Sequence, residues 1–188
     1  MFYSNTKTLY AVYDLGVSPI TFDVLNFTAM AEIFRSALKL DYIHFVYLLG
    51  PNRSFRNQTP KDKNLSDEQK HWRLRQILIP QSWLLSSCNG CSVFLDREEG
   101  ARFLAQIPPV NIFPRNYHVS RPTWSFMISA INEVARRNEV DALRFQATPT
   151  ALQYVDEWCV RNGVEGPLVT FTVRVSDIEA HRNSNLSA

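Results

Sequence analysis

Disulfide chemistry has little to work with in this sequence. Its 188 residues include three cysteines, Cys88, Cys91 and Cys159, an odd and low count that argues against a disulfide framework and suits a reducing compartment. The close pair Cys88-x-x-Cys91 has no second pair and no near histidine, so it cannot complete a tetrahedral zinc site, and no metal is expected. A thioredoxin-like pair follows a strand and opens a helix, whereas this one sits in an expected turn before a strand. Glycine-rich phosphate motifs are missing too. There is no G-x-G-x-x-G and no G-x-x-x-x-G-K-[ST], which leaves both the dinucleotide fingerprint and the P-loop without support. No apolar run approaches the ~20 residues of a membrane span. The opening MFYSNTKTLYAVYDLG lacks the basic-then-apolar order of a signal peptide, so the expectation is a soluble, cytoplasmic protein. Neither sign of charge dominates: the net charge is +2, which does not argue for a nucleic-acid partner. No repeat or low-complexity tract interrupts the chain.

What is present is a globular balance. Hydrophobic residues make up 45% and charged residues 20%, enough apolar material for a full core. The length fits one domain, or one domain and the start of another. Residues 9–23, LYAVYDLGVSPITFD, read as a strand over 9–13, a tight turn through Asp14-Leu15-Gly16, and a helix start. Ser18 suits the N-cap, Pro19 the first helical position and Asp23 the first turn. Apolar residues then recur at helical spacing over 20–40, and residues 42–49 (YIHFVYLL) form a second buried strand closed by Gly50-Pro51. Strand, helix, strand at this spacing predicts a parallel crossover. A polar loop over 52–65 follows. Ser66-Asp67-Glu68-Gln69 matches a capping box, and Pro80 must break or kink the helix it starts. Residues 92–95 give a third strand, and Asp96 starts a helix through Ala105. Residues 111–113 suggest a short strand, and helices are expected over 123–137 and from Pro149. Residues 168–175 (LVTFTVRV) read as a last strand. The fold class expected is α/β, a Rossmann-like three-layer sandwich around a mainly parallel sheet.

In such a sheet, ligands bind beyond the carboxyl ends of the strands. Here those ends fall at residues 14–18, 50–53, 96–98 and 174–177. Asp14 could hold a substrate hydroxyl or act as a base, with anion or sugar contacts at the Gly16–Ser18 amides. Equally, Gly16 could serve only the turn, and Asp14 the local backbone. Arg53 is a cation at the second strand end. Arg174, near the end of an otherwise buried strand, must find an anion. That anion is either a phosphate held bidentately or Asp177 or Glu179. Arg182, Asn183 and Asn185 follow as further polar contacts. His118 and His181 lie in loops where either could be a base, while His44 sits inside a strand and His71 in a basic helix.

Several stretches, YDLGVSPITFDVLNF, LLGP, WRLRQILIPQSWLL, FPRNYHVSRP and VTFTVRVSDIEAHRNSN, together resemble a bacterial family of glycosyltransferase-like proteins of the two-domain GT-B architecture. The resemblance implies an acceptor-side Rossmann-like domain over 1–165, then the first strand and loop of a second domain over 166–188. It further implies a nucleotide-sugar donor, a glycan or surface-polysaccharide acceptor, and no permanently bound cofactor. VTFTVRVSD is similar to the Arg-containing loop of fucosyltransferases, which implies a diphosphate contact for Arg174 with Asp177 nearby. Since a GT-B enzyme takes roughly two ~150-residue domains, a chain without the rest of the second domain is not expected to transfer sugar. The alternative is a non-catalytic α/β binding or assembly module.

Overall fold

The computed structural model describes residues 7–122, 128–140 and 145–166. The chain divides into two compact units, residues 1–148 and 149–188. The expected boundary at 165/166 lies at the edge of the described residues, and the expected strand over 168–175 lies outside them.

The first unit is built on a four-stranded, all-parallel sheet in the order β3-β2-β1-β4. The strands are β1 (Thr8–Asp14), β2 (Tyr42–Leu48), β3 (Cys88–Phe94) and β4 (Ile112–Phe113). Helix α1 (Val24–Ala37) connects β1 to β2. Short helices α2 (Pro60–Lys63), α3 (Asp67–Arg73) and α4 (Ile79–Ser82) lie between β2 and β3. Helix α5 (Arg97–Leu104) leads from β3 towards β4, and α6 (Ile128–Arg137) packs beside α1. In the second unit, α7 (Pro149–Arg161) is the one described helix.

Strand parity sets the layers. Leu9, Ala11 and Tyr13 of β1 share one face with Ile43, Phe45 and Tyr47 of β2, and there they meet Val24, Phe27 and Ala31 of α1 together with Leu74 and Leu78. Val12 and Val46 point the other way, towards Leu104 and Ile107. With helices on both faces, the fold is an α/β three-layer sandwich of the Rossmann-like kind. Two tyrosine hydroxyls are buried in the first layer, and both are satisfied. Tyr13 donates to Pro19 O at 2.7 Å, and Tyr47 reaches Leu78 O at 2.9 Å and Ser82 Oγ at 2.6 Å.

Several local expectations change. The first long helix starts at Val24, later than Ser18-Pro19 implied. Asp23 N–H, which would bond Pro19 O in a helix starting there, turns to Thr21 Oγ1 at 3.3 Å, while Pro19 O accepts from the Tyr13 hydroxyl and Ser18 N–H donates back to Asp14 O at 2.8 Å. At its other end α1 closes with a left-handed Lys39 (φ 53°) and the paired bonds Leu40 N–H to Arg35 O and Lys39 N–H to Ser36 O, a Schellman arrangement without glycine. The polar loop after β2 contains α2, capped by reciprocal Thr59 and Asp62 bonds. The Ser66–Gln69 capping box forms as expected. Pro80 does not break the helix it falls in. A π turn over Leu74–Leu78 widens the spiral just ahead of it, which absorbs the missing N–H. Lastly, Cys88 and Cys91 lie on β3 and not in a turn. Asn89 is the extra residue of a β-bulge between the Ile43–Cys88 and His44–Gly90 pairs. Gly90 has φ 156°, and a Cβ there would lie 3.3 Å from the His44 ring.

Candidate functional site at the carboxyl edge of the sheet

The strand order reverses between β1 and β4: the chain builds outward to β3, then returns to β1's other side. In open α/β sheets the ligand crevice lies at this switch point, beyond the strand ends. Asp14 closes β1 at that position. Being an even-numbered residue of β1, its side chain lies on the α5 face, where two groups from distant sequence reach it.

Arg97, the first residue of α5, donates from Nη2 to Asp14 Oδ2 at 2.6 Å and from Nη1 to Oδ1 at 3.2 Å. Tyr117, in the loop after β4, donates its hydroxyl to Oδ2 at 2.5 Å. Gly16 N–H donates to Oδ1 at 3.0 Å. Each carboxylate oxygen thus accepts two bonds, and the Asp14 side chain is only 2% exposed. Arg97 is committed as completely. Its remaining donors go to Leu49 O (2.9 Å) and, from Nη2 and Nε, to Val119 O (2.6 and 3.2 Å). All five of its N–H groups are used. Burial works against the Arg97 charge, but the bonded Asp14 carboxylate outweighs it and pushes the guanidinium further up. Burial, with Asp14 beside it, pushes the Tyr117 hydroxyl up as well. The network ties the ends of β1, β2 and β4 to the start of α5.

One of the four bonds to the Asp14 carboxylate is local, from Gly16 N–H, and the other three come from Arg97 and Tyr117. Each oxygen is shared between two donors, and the carboxylate links the end of β1 to the start of α5 and to the loop after β4. The amides of the following turn are similarly engaged: Val17 and Ser18 N–H both donate to Asp14 O, and Ser18 is buried. Gly16 is required by close approach, since a Cβ there would lie 2.9 Å from Gly50 Cα.

Arg53 is different. It is exposed, at the end of β2, and carries a left-handed backbone (φ 58°) next to an equally left-handed Asn52 (φ 55°). Asn116, after β4, is a third at this edge of the sheet (φ 60°), while Lys39 and Glu139 share the geometry elsewhere. Left-handed non-glycine residues store strain and gather at functional loops. Asp96, at the end of β3, caps α5 by accepting from Glu98 and Glu99 N–H, both at 2.9 Å. Those backbone bonds hold its carboxyl below the usual range, with further help from the Arg102 and Arg53 charges. His118 is exposed beside Tyr117. Arg174, Asp177, Arg182, Asn183 and Asn185 lie outside the described residues, as does His181.

Arg97 and Tyr117 are the two members of the site that sequence reasoning did not single out. The available signal was parity: a carboxylate on the α5 face of β1 requires a cation from the helix that covers that face. Among the described residues, no cluster of His, Cys, Asp and Glu could hold a metal, and no helix is long and apolar enough to cross a membrane. No protein-family model, no curated protein and no solved structure matches the chain.

Proposed function

We propose that this chain is the acceptor-side, Rossmann-like part of a glycosyltransferase of GT-B architecture, acting with a nucleotide-sugar donor on a glycan acceptor. The observation that carries the reading is the switch point between β1 and β4, with the strained loops around Asn52, Arg53 and Asn116 at the same edge of the sheet. The assignment of that edge to a glycosyltransferase comes from the resemblance of the stretches spread along the sequence. Within this reading Asp14 is a positioning residue and His118 takes over as candidate base, being the exposed loop histidine next to the crevice. Arg53 is the candidate ligand contact at the β2 strand end, and the resemblance assigns the donor diphosphate to Arg174 and Arg182 with Asp177, Asn183 and Asn185. Calorimetric titration with GDP-, UDP- and ADP-sugars tests the proposal. Binding of at least one, weakened by Arg174→Ala, is expected; heat from none of the three overturns it.

One observation favours the non-catalytic alternative, a binding or assembly module: the Arg97 guanidinium and the Tyr117 phenol at the switch point are already committed to Asp14. Light scattering behind size exclusion discriminates. A concentration-dependent oligomer with no nucleotide-sugar binding supports the module.

A further inference from the structure

From α3 we infer a second site, a shallow binding platform for a single hexopyranose unit centred on Trp72. Leu65, Glu68, Gln69, Trp72 and Arg73 line a depression of about 340 Å³. That volume is at the low end for small-ligand pockets and suits one sugar ring. Glu68, Gln69, Trp72 and Arg73 follow helical spacing on one side of α3, and Leu65 lies just before its N-cap. Trp72 is 55% exposed, so its indole face is open to a ligand in the depression.

The surrounding polar groups are unspent. Glu68 makes no hydrogen bond or ion pair among the described residues. Gln69 uses its Oε1 to accept from Ser66 N–H, which leaves its amide donors free. Arg73 gives one long bond, Nη1 to Ile20 O at 3.4 Å, and keeps its other donors. A flat indole flanked by an anionic acceptor, an amide and a guanidinium matches a pyranose. The ring's C–H face lies on the electron-rich indole face, and adjacent hydroxyls each donate to Glu68 and accept from Gln69 or Arg73. A phosphate-bearing ligand fits less well, because Glu68 repels it. The depression sits on the loop side of the sheet: Arg73 contacts the loop after β1, and the neighbouring His71 ring meets Phe55, after β2, at 4.8 Å. The π turn that begins at Leu74 directly follows the platform, and such turns recur at functional sites.

The inference stands on α3 alone and does not need the strand-edge reading. Saturation-transfer NMR on the whole chain with D-glucose, D-galactose, L-fucose and N-acetyl-D-glucosamine tests it, with adenosine as a stacking control and UDP measured in parallel. Transfer to the ring C–H protons of at least one sugar is expected. Trp72→Ala should weaken it about tenfold or more, while Trp83→Ala, an exposed tryptophan outside the depression, should leave it unchanged. Circular dichroism confirms that both variants fold. Transfer from no sugar, equal loss in both variants, or transfer from adenosine alone overturns the site. Sugar binding without UDP binding leaves this site standing and counts against the donor reading; UDP binding without sugar binding does the reverse.

Discussion

Asp14, Arg97 and Tyr117 are most sharply tested one residue at a time. Removing one partner of a buried, fully bonded ion pair leaves the other charge uncompensated, which costs about 3–5 kcal/mol. Asp14→Asn should therefore lower unfolding free energy by an amount in that range, read from urea titration. Tyr117→Phe removes one bond to a charged acceptor and should cost about 1.5–3 kcal/mol. If Asp14→Asn changes stability by less than about 1 kcal/mol, the carboxylate is not the tie that its four bonds imply. Of these three, only Asp14 was legible in the sequence. Asp14 announced itself at a strand end, and the Asp96 cap at the start of the next helix. The partners were not legible, because they lie 83 and 103 positions away. No local pattern reports a contact at that separation; only the order of strands does.

Elements with a local cause were read well, and those with a tertiary cause were not. The Ser66 capping box is a four-residue device, so its sequence signature and its hydrogen bonds coincide. Ser66→Ala should cost about 0.5–2 kcal/mol in thermal or urea unfolding. Ser18-Pro19 carries an equally good local signature and yet starts no helix; Pro19 O accepts from a β1 tyrosine hydroxyl, and Asp23 N–H bonds Thr21 Oγ1 instead of it. Asn89-Gly90 looks like a turn, but pairing with β2 makes it a bulge. Gly90→Ala confronts both an unfavourable φ and the His44 ring, so it should destabilise by about 1–3 kcal/mol. A neutral result would show that the bulge relaxes.

The sheet as a whole sets one pH dependence. His44 lies on the α5 face of β2, bonded through Nε2 to Ser92 Oγ at 2.9 Å, and burial lowers its pKa despite a bond with Asn89. A histidine whose folded pKa is depressed is charged more readily in the unfolded chain. Stability is therefore full above the ordinary value of about 6.5 and declines as pH falls below it, levelling off below the folded pKa. Urea midpoints for the native chain should fall between about pH 7 and pH 5, and His44→Gln should flatten that slope. An unchanged slope in the variant would assign the loss to other groups.

At the same scale, the parallel α/β class was readable from the alternation of apolar strands with helical stretches. The strand order was not, and with it the identity of the switch point. The proposal for function rests on that point, so the most direct measurement is a set of amide correlation spectra of the chain titrated with UDP-, GDP- and ADP-sugars. At least one ligand should shift the amides of Arg53, Asp96 and His118, in the loops beyond β2, β3 and β4. Shifts confined to the opposite edge of the sheet, or none with any of the three, would contradict it.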